Sequence, residues 1–151
     1  MIDRFELFVA AISGIYRDIQ KIERDEMVKY GLKGPYAQYL VAMKRCPQGI
    51  TASALCEVCD KDKAAVSRML GEMEDRGLVN RMGGTEHQYR ALLTLTEEGQ
   101  QAADYVCQKA VAAVNFAGGD LDPEVRKALY AALRQIEGRL ETICANGIPE
   151  N

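Results

Sequence analysis

One histidine, His87, is all the imidazole that this 151-residue chain contains. There is no glycine-rich phosphate loop, and no serine or cysteine stands beside an evident base. No catalytic constellation is therefore legible, and the expectation is a protein that is not an enzyme and needs no cofactor or metal. No apolar run is long enough to span a bilayer. The opening Met1-Ile2-Asp3-Arg4 lacks a signal-peptide layout, so a cytoplasmic location is expected and no membrane partner. Five cysteines, an odd number, suggest reduced thiols and not a disulfide framework. Internal repeats and low-complexity segments are also lacking. A net charge of −3 argues against a protein that coats nucleic acid or membrane. The charge is unevenly spread: residues 44–90 carry eight basic and seven acidic side chains, and the remainder carries eleven and fifteen.

What is present is concentrated between Thr51 and Val79. Thr51 is placed to cap a short helix with Ala54, Leu55, Val58 and Cys59 turned inward. Asp60-Lys61 reads as a tight turn, since aspartate tolerates the left-handed conformation. Asp62 then caps a longer helix in which Val66, Met69, Leu70 and Met73 recur at core spacing. Lys63, Ala64, Ser67, Arg68 and Gly71 fall on the opposite side. Small side chains, a hydroxyl and two cations make a helix slim enough for a major groove, with arginine able to reach a guanine edge or a phosphate. Gly77 supplies the αL residue that ends the helix, and Leu78 can fold back in a Schellman-type close. Taken alone, this pattern fits a solvated αα-hairpin equally well.

The flanks add to it. Phe5, Phe8, Ile12, Ile15, Ile19 and Ile22 form an apolar seam along a first helix ending near Gly31. Gly34-Pro35 starts a second helix, with proline in its first position and Tyr36, Tyr39, Leu40 and Met43 facing inward. Beyond Val79 the period changes to that of a strand. Gly83-Gly84 signals a turn, Arg90 to Leu95 returns, and the hairpin tip spans about Gly83 to Gln88. Thr96 caps a fifth helix broken at Gly118-Gly119. Asp122-Pro123-Glu124 opens a sixth, with a stripe of Val125, Leu129, Leu133, Ile136, Leu140 and Ile143.

Three blocks in this order carry a resemblance: Asp62-Lys63-Ala64-Ala65-Val66-Ser67-Arg68, Glu74-Asp75-Arg76-Gly77-Leu78-Val79, and Leu92-Leu93-Thr94-Leu95-Thr96-Glu97-Glu98-Gly99. They resemble the MarR family of bacterial transcriptional regulators in its recognition helix, its helix-end Arg-Gly-Leu-Val and its Leu-Thr-x-x-Gly. The resemblance implies a mainly α fold with a small β-hairpin wing, a winged helix-turn-helix over residues 34–99. Dimerisation helices over 1–31 and 100–146 would flank it. It implies a homodimer on a pseudo-palindromic double-stranded DNA site with half-sites roughly 34 Å apart, a repressor released by an effector. The expected DNA contacts are Lys63, Ala64, Ser67, Arg68, Arg81 and Arg90. One departure stands out: where the family carries Asp-Arg-Arg in the wing, this chain reads His87-Gln88-Tyr89 before Arg90. The usual bracing carboxylate is missing there, so phosphate contact is expected in place of minor-groove readout.

Two further groups belong to other readings. Tyr16, Tyr36, Tyr39 and Met43 either line a cleft for a small aromatic effector or are plain core. Cys56 and Cys59, three apart on one helix, are either inert thiols or a thiol sensor. The second alternative makes the chain a redox or zinc-responsive module, although no second pair of ligands completes a metal site. A winged-helix module serving protein contacts without DNA is the third.

Overall fold

The computed structural model describes residues 3–83 and 91–149. Its backbone divides into two units, Met1–Ala113 and Val114–Asn151. Residues 84–90, which include most of the expected hairpin tip and the expected wing residues His87, Gln88, Tyr89 and Arg90, lie outside the described residues. No described helix is long and apolar enough to cross a membrane.

The first unit is built on a helix that is apolar nearly all round. In α2 (Tyr36–Lys44), Tyr36, Ala37, Tyr39, Leu40, Val41, Ala42 and Met43 are all buried. Such a helix must be surrounded, and it forms the centre of the core. Against it lie Met27 of α1 (Arg4–Lys29), Leu55 of α3 (Ala52–Cys59), Val66, Leu70 and Met73 of α4 (Lys63–Asp75), and Ala103 and Val106 of α5 (Glu97–Ala117). Pro35 is the N-cap of α2 and not its first residue. Tyr36 and Ala37 donate to the carbonyls of Lys33 and Gly34, so the chain enters by a tighter i→i−3 turn and the α-helical pattern starts one residue later.

Three strands form an antiparallel sheet in the order β1 (Ile50–Thr51), β3 (Leu92–Leu95), β2 (Val79–Met82). Ile50 faces Leu93 and Val79 faces Leu95, which places the buried Leu93 at the middle of the sheet. The Leu-Thr-x-x-Gly segment joins this sheet to α5. The Thr96 hydroxyl donates to the Gly77 carbonyl at 2.6 Å and accepts from the Gly99 amide at 3.0 Å. One side chain thus closes the end of α4 and opens α5.

The helix-turn-helix follows the expected chemistry. Thr51 accepts from the Ala54 amide at 3.2 Å, Asp60 is left-handed at φ 51°, and Asp62 accepts from the Ala65 amide at 2.8 Å. Leu78 N–H donates to Met73 and Gly77 N–H to Glu74, the paired bonds of a Schellman close. One inward assignment is corrected: Val58 is 55% exposed. The buried side of α3 is centred on Leu55, with Ala52, Ala54, Cys56 and Cys59 half-buried around it. Val58 is rotated off that centre and lines a cleft with Tyr16 and Ile19 of α1.

In the second unit, α6 (Pro123–Asn146) starts at Asp122, whose carboxylate accepts from the amides of Glu124 and Val125. Arg126 holds the preceding turn by donating to the Gly118 and Leu121 carbonyls. No residue of α6 is buried, and Val125, Leu129, Ile136 and Leu140 are exposed. At the other end of the sequence Phe5, Leu7, Phe8, Ile12 and Ile15 of α1 are exposed as well.

Candidate nucleic-acid interface

The orientation of α4 is fixed from inside. Val66, Leu70 and Met73 are each at most 1% exposed, which leaves Lys63, Ala64, Ser67 and Arg68 on the solvent side and Gly71 half-buried. A helix locked by three core side chains presents its outer ridge rigidly. Its N-terminus is held by Asp62, whose carboxyl lies below the usual carboxylate range. The amide of Ala65 is the main cause, with the Ala64 amide and the charge of Arg68 adding to it.

The cations divide between the two flanks of this ridge. On one flank Lys63, Ser67 and Arg81 share a cleft of about 200 Å³ with Ser53 and Cys56 of α3. On the other, Arg68 and Lys61 line a cleft of about 390 Å³ with Gln38, Tyr39 and Glu72. Ala64 lies on the exposed surface and lines neither. Glu72 accepts from Lys33 at 2.5 Å and from the Tyr36 hydroxyl at 3.2 Å, so the outer turn of α4 is tied to the α1–α2 connection. The Lys33 contact holds the Glu72 carboxyl below its ordinary value.

Arg81 stands on β2 beside the C-terminal half of α4. Its Nε donates to Glu74 Oε1 at 2.9 Å and its Nη2 to Glu74 Oε2 at 3.3 Å. Sequence reasoning did not single out Glu74. The signal was a carboxylate seven residues ahead of an arginine across a helix end, a separation that only the Schellman turn converts into contact.

The four residues of the effector reading lie in different surroundings. Tyr36 and Met43 are core, Tyr39 borders the cleft of Arg68, and Tyr16 is 60% exposed. Tyr16 instead lines a space of about 180 Å³ with Ile19, Glu23, Arg45, Val58 and Cys59. Burial pushes the Glu23 carboxyl up there, with Arg45 opposing the shift. The two thiols also part company. Cys56 borders the Lys63–Arg81 cleft, whereas Cys59 donates weakly to the Gln38 carbonyl at 3.8 Å and has its thiol pushed up by burial. All five cysteines are free thiols. Among the described residues no group of three or more His, Cys, Asp or Glu could hold a metal ion.

Residues 30–87 match the sequence model of the MarR family. That match falls on the winged helix-turn-helix and marks this part of the chain as similar to the MarR family. Solved structures extend the likeness in fold to the rest of the chain. A protein described as a MarR family transcriptional regulator from Listeria monocytogenes, crystallised with a 26mer DNA, superposes with a TM-score of 0.73 at 21% identity. The match covers 100% of this chain and 99% of that one. A MarR family regulator from Silicibacter pomeroyi gives 0.73 at 19% identity, covering 99% and 97%. The reduced form of MarR from E. coli gives 0.68 at 18% identity, covering 90% and 97%. No match was found among curated proteins. The mainly helical architecture with a small antiparallel sheet is thus the MarR winged-helix fold.

Proposed function

We propose that this chain is a sequence-specific, double-stranded DNA-binding transcriptional regulator that works as a homodimer. The observation that carries the reading is the outer face of α4. A recognition helix needs a narrow flank with donors of different reach, and Ala64, Ser67, Lys63 and Arg68 supply it on a backbone fixed by Val66, Leu70 and Met73. Support for the dimer comes from apolar side chains left in solvent on α1 and along α6, where no residue is buried within one chain. A two-fold axis would set two α4 helices on half-sites roughly 34 Å apart. Occupancy of such a site represses, and a small aromatic compound in the cleft beside Tyr16, Val58 and Arg45 is the proposed releasing effector. A cytoplasmic location accords with this role.

Fluorescence anisotropy with a duplex selected from a random pool tests the proposal. Arg68→Ala should weaken binding about tenfold or more while leaving the melting midpoint unchanged. Equal binding by variant and wild type would remove α4 from the interface.

A further inference from the structure

Arg81 on β2 is held by a carboxylate of α4. A guanidinium has five N–H donors, and a side-on pair with one carboxylate uses the Nε donor and one of those on Nη2. Glu74 makes that pair, which leaves three donors. Arg81 also lines the cleft that holds Lys63, the hydroxyls of Ser53 and Ser67, and the Cys56 thiol. Two cations and two hydroxyls from α3, α4 and β2 therefore converge on one concave site, on the flank of the recognition helix. An anion seated there would supply acceptors for the donors that Arg81 keeps.

We propose that this cleft is a seat for one phosphodiester of the DNA backbone, with Arg81 as its fixed cation and Glu74 as the positioning residue for Arg81. The inference rests on the DNA-binding reading above and deepens it. It gives a carboxylate-braced arginine whose carboxylate comes from the recognition helix. Bracing removes the rotamer freedom that a free arginine would lose on binding, so the contact forms at smaller entropic cost.

The arrangement makes a prediction opposite in sign to simple charge counting. Deleting an acid close to DNA should strengthen binding through reduced repulsion. Here Glu74→Ala should weaken it about three- to tenfold, because Arg81 loses its fixed direction. In an Arg81→Ala background the same change should strengthen binding or leave it unaltered. Arg81→Ala alone should lower the slope of log K against log salt by about 0.9, the share of one phosphate. Anisotropy titrations over a range of salt, with thermal midpoints for every variant, read all three, and Glu74→Gln serves as a second variant should Glu74→Ala fold poorly.

Tighter binding by Glu74→Ala and Glu74→Gln with Arg81 present, or an unchanged salt slope in Arg81→Ala, would overturn the seat while Arg68→Ala still reports on the DNA-binding reading. Failure of the wild type to bind any duplex would remove both. A rise in melting temperature with inorganic phosphate that Arg81→Ala abolishes, without any change in the DNA salt slope, would assign the cleft to a free anion and overturn the proposal.

Discussion

Gly99 lies so close beneath the Leu78 carbonyl that a Cβ on it would fall 2.0 Å from the oxygen. No side chain at the flexible end of a contact could yield there, because the opposing atom is backbone. The sheet, the end of α4 and the start of α5 meet at this point, with the Thr96 amide donating to the same Leu78 carbonyl at 3.0 Å.

Gly99→Ala should therefore force α5 away from the α4 terminus. The expected loss of stability is about 2–3 kcal/mol or more, at the upper end for overpacking. Urea denaturation read by circular dichroism measures it. A midpoint equal to that of the wild type would mean that the backbones do not approach in this way.

Asp62 links stability to acidity. Its folded-state carboxyl lies below the ordinary value of 3.8, mainly through the Ala65 amide. A lowered folded-state value contributes stability that is fully present above the unfolded value, and that stability is lost as pH falls through the folded one. Asp62→Asn keeps an amide-accepting cap without the titration. Wild type and variant should show their largest difference above about pH 4, converging as the medium becomes more acid. Thermal midpoints across that range test this; a difference that grows on acidification would contradict the cap.

Ala64→Glu adds a carboxylate to the first turn of α4, where Ala64 is exposed. DNA binding should be abolished and stability should change by no more than about 0.5 kcal/mol. Retained binding at wild-type affinity would show that the ridge does not face the duplex.

The apolar stripe of α6 makes a separate prediction. Leu129 is 44% exposed within one chain, and Leu129→Glu introduces a charge into the proposed subunit interface. The wild type should sediment as a dimer and the variant as a weaker dimer or monomer. A wild-type monomer at micromolar concentration would refute this assignment of the stripe.

Much of this was readable from local chemistry. Thr51, Asp62 and Asp122 cap helices because their side-chain oxygens reach the next amides, and Gly77 ends α4 because the αL conformation costs it little. The core face of α4 followed from the spacing of Val66, Met69, Leu70 and Met73, of which Met69 is half-buried. Tertiary direction was less legible. Val58 has the spacing of a buried residue, yet α3 is only eight residues long and its inward side is decided by the position of α2. Tyr36, Tyr39 and Met43 lie on α2, a helix buried nearly all round that turns its two tyrosines in different directions, whereas Tyr16 lies exposed on α1. Glu74 and Arg81 illustrate the same limit, since two elements had to be folded against each other before their pairing could be seen.

The most direct measurement is selection of bound duplexes from a random pool by the wild-type protein. The account predicts enrichment of an inverted repeat whose half-sites lie about one helical turn apart, lost when Arg68 is replaced by alanine. No enrichment, or an enriched sequence without two-fold symmetry, would contradict it.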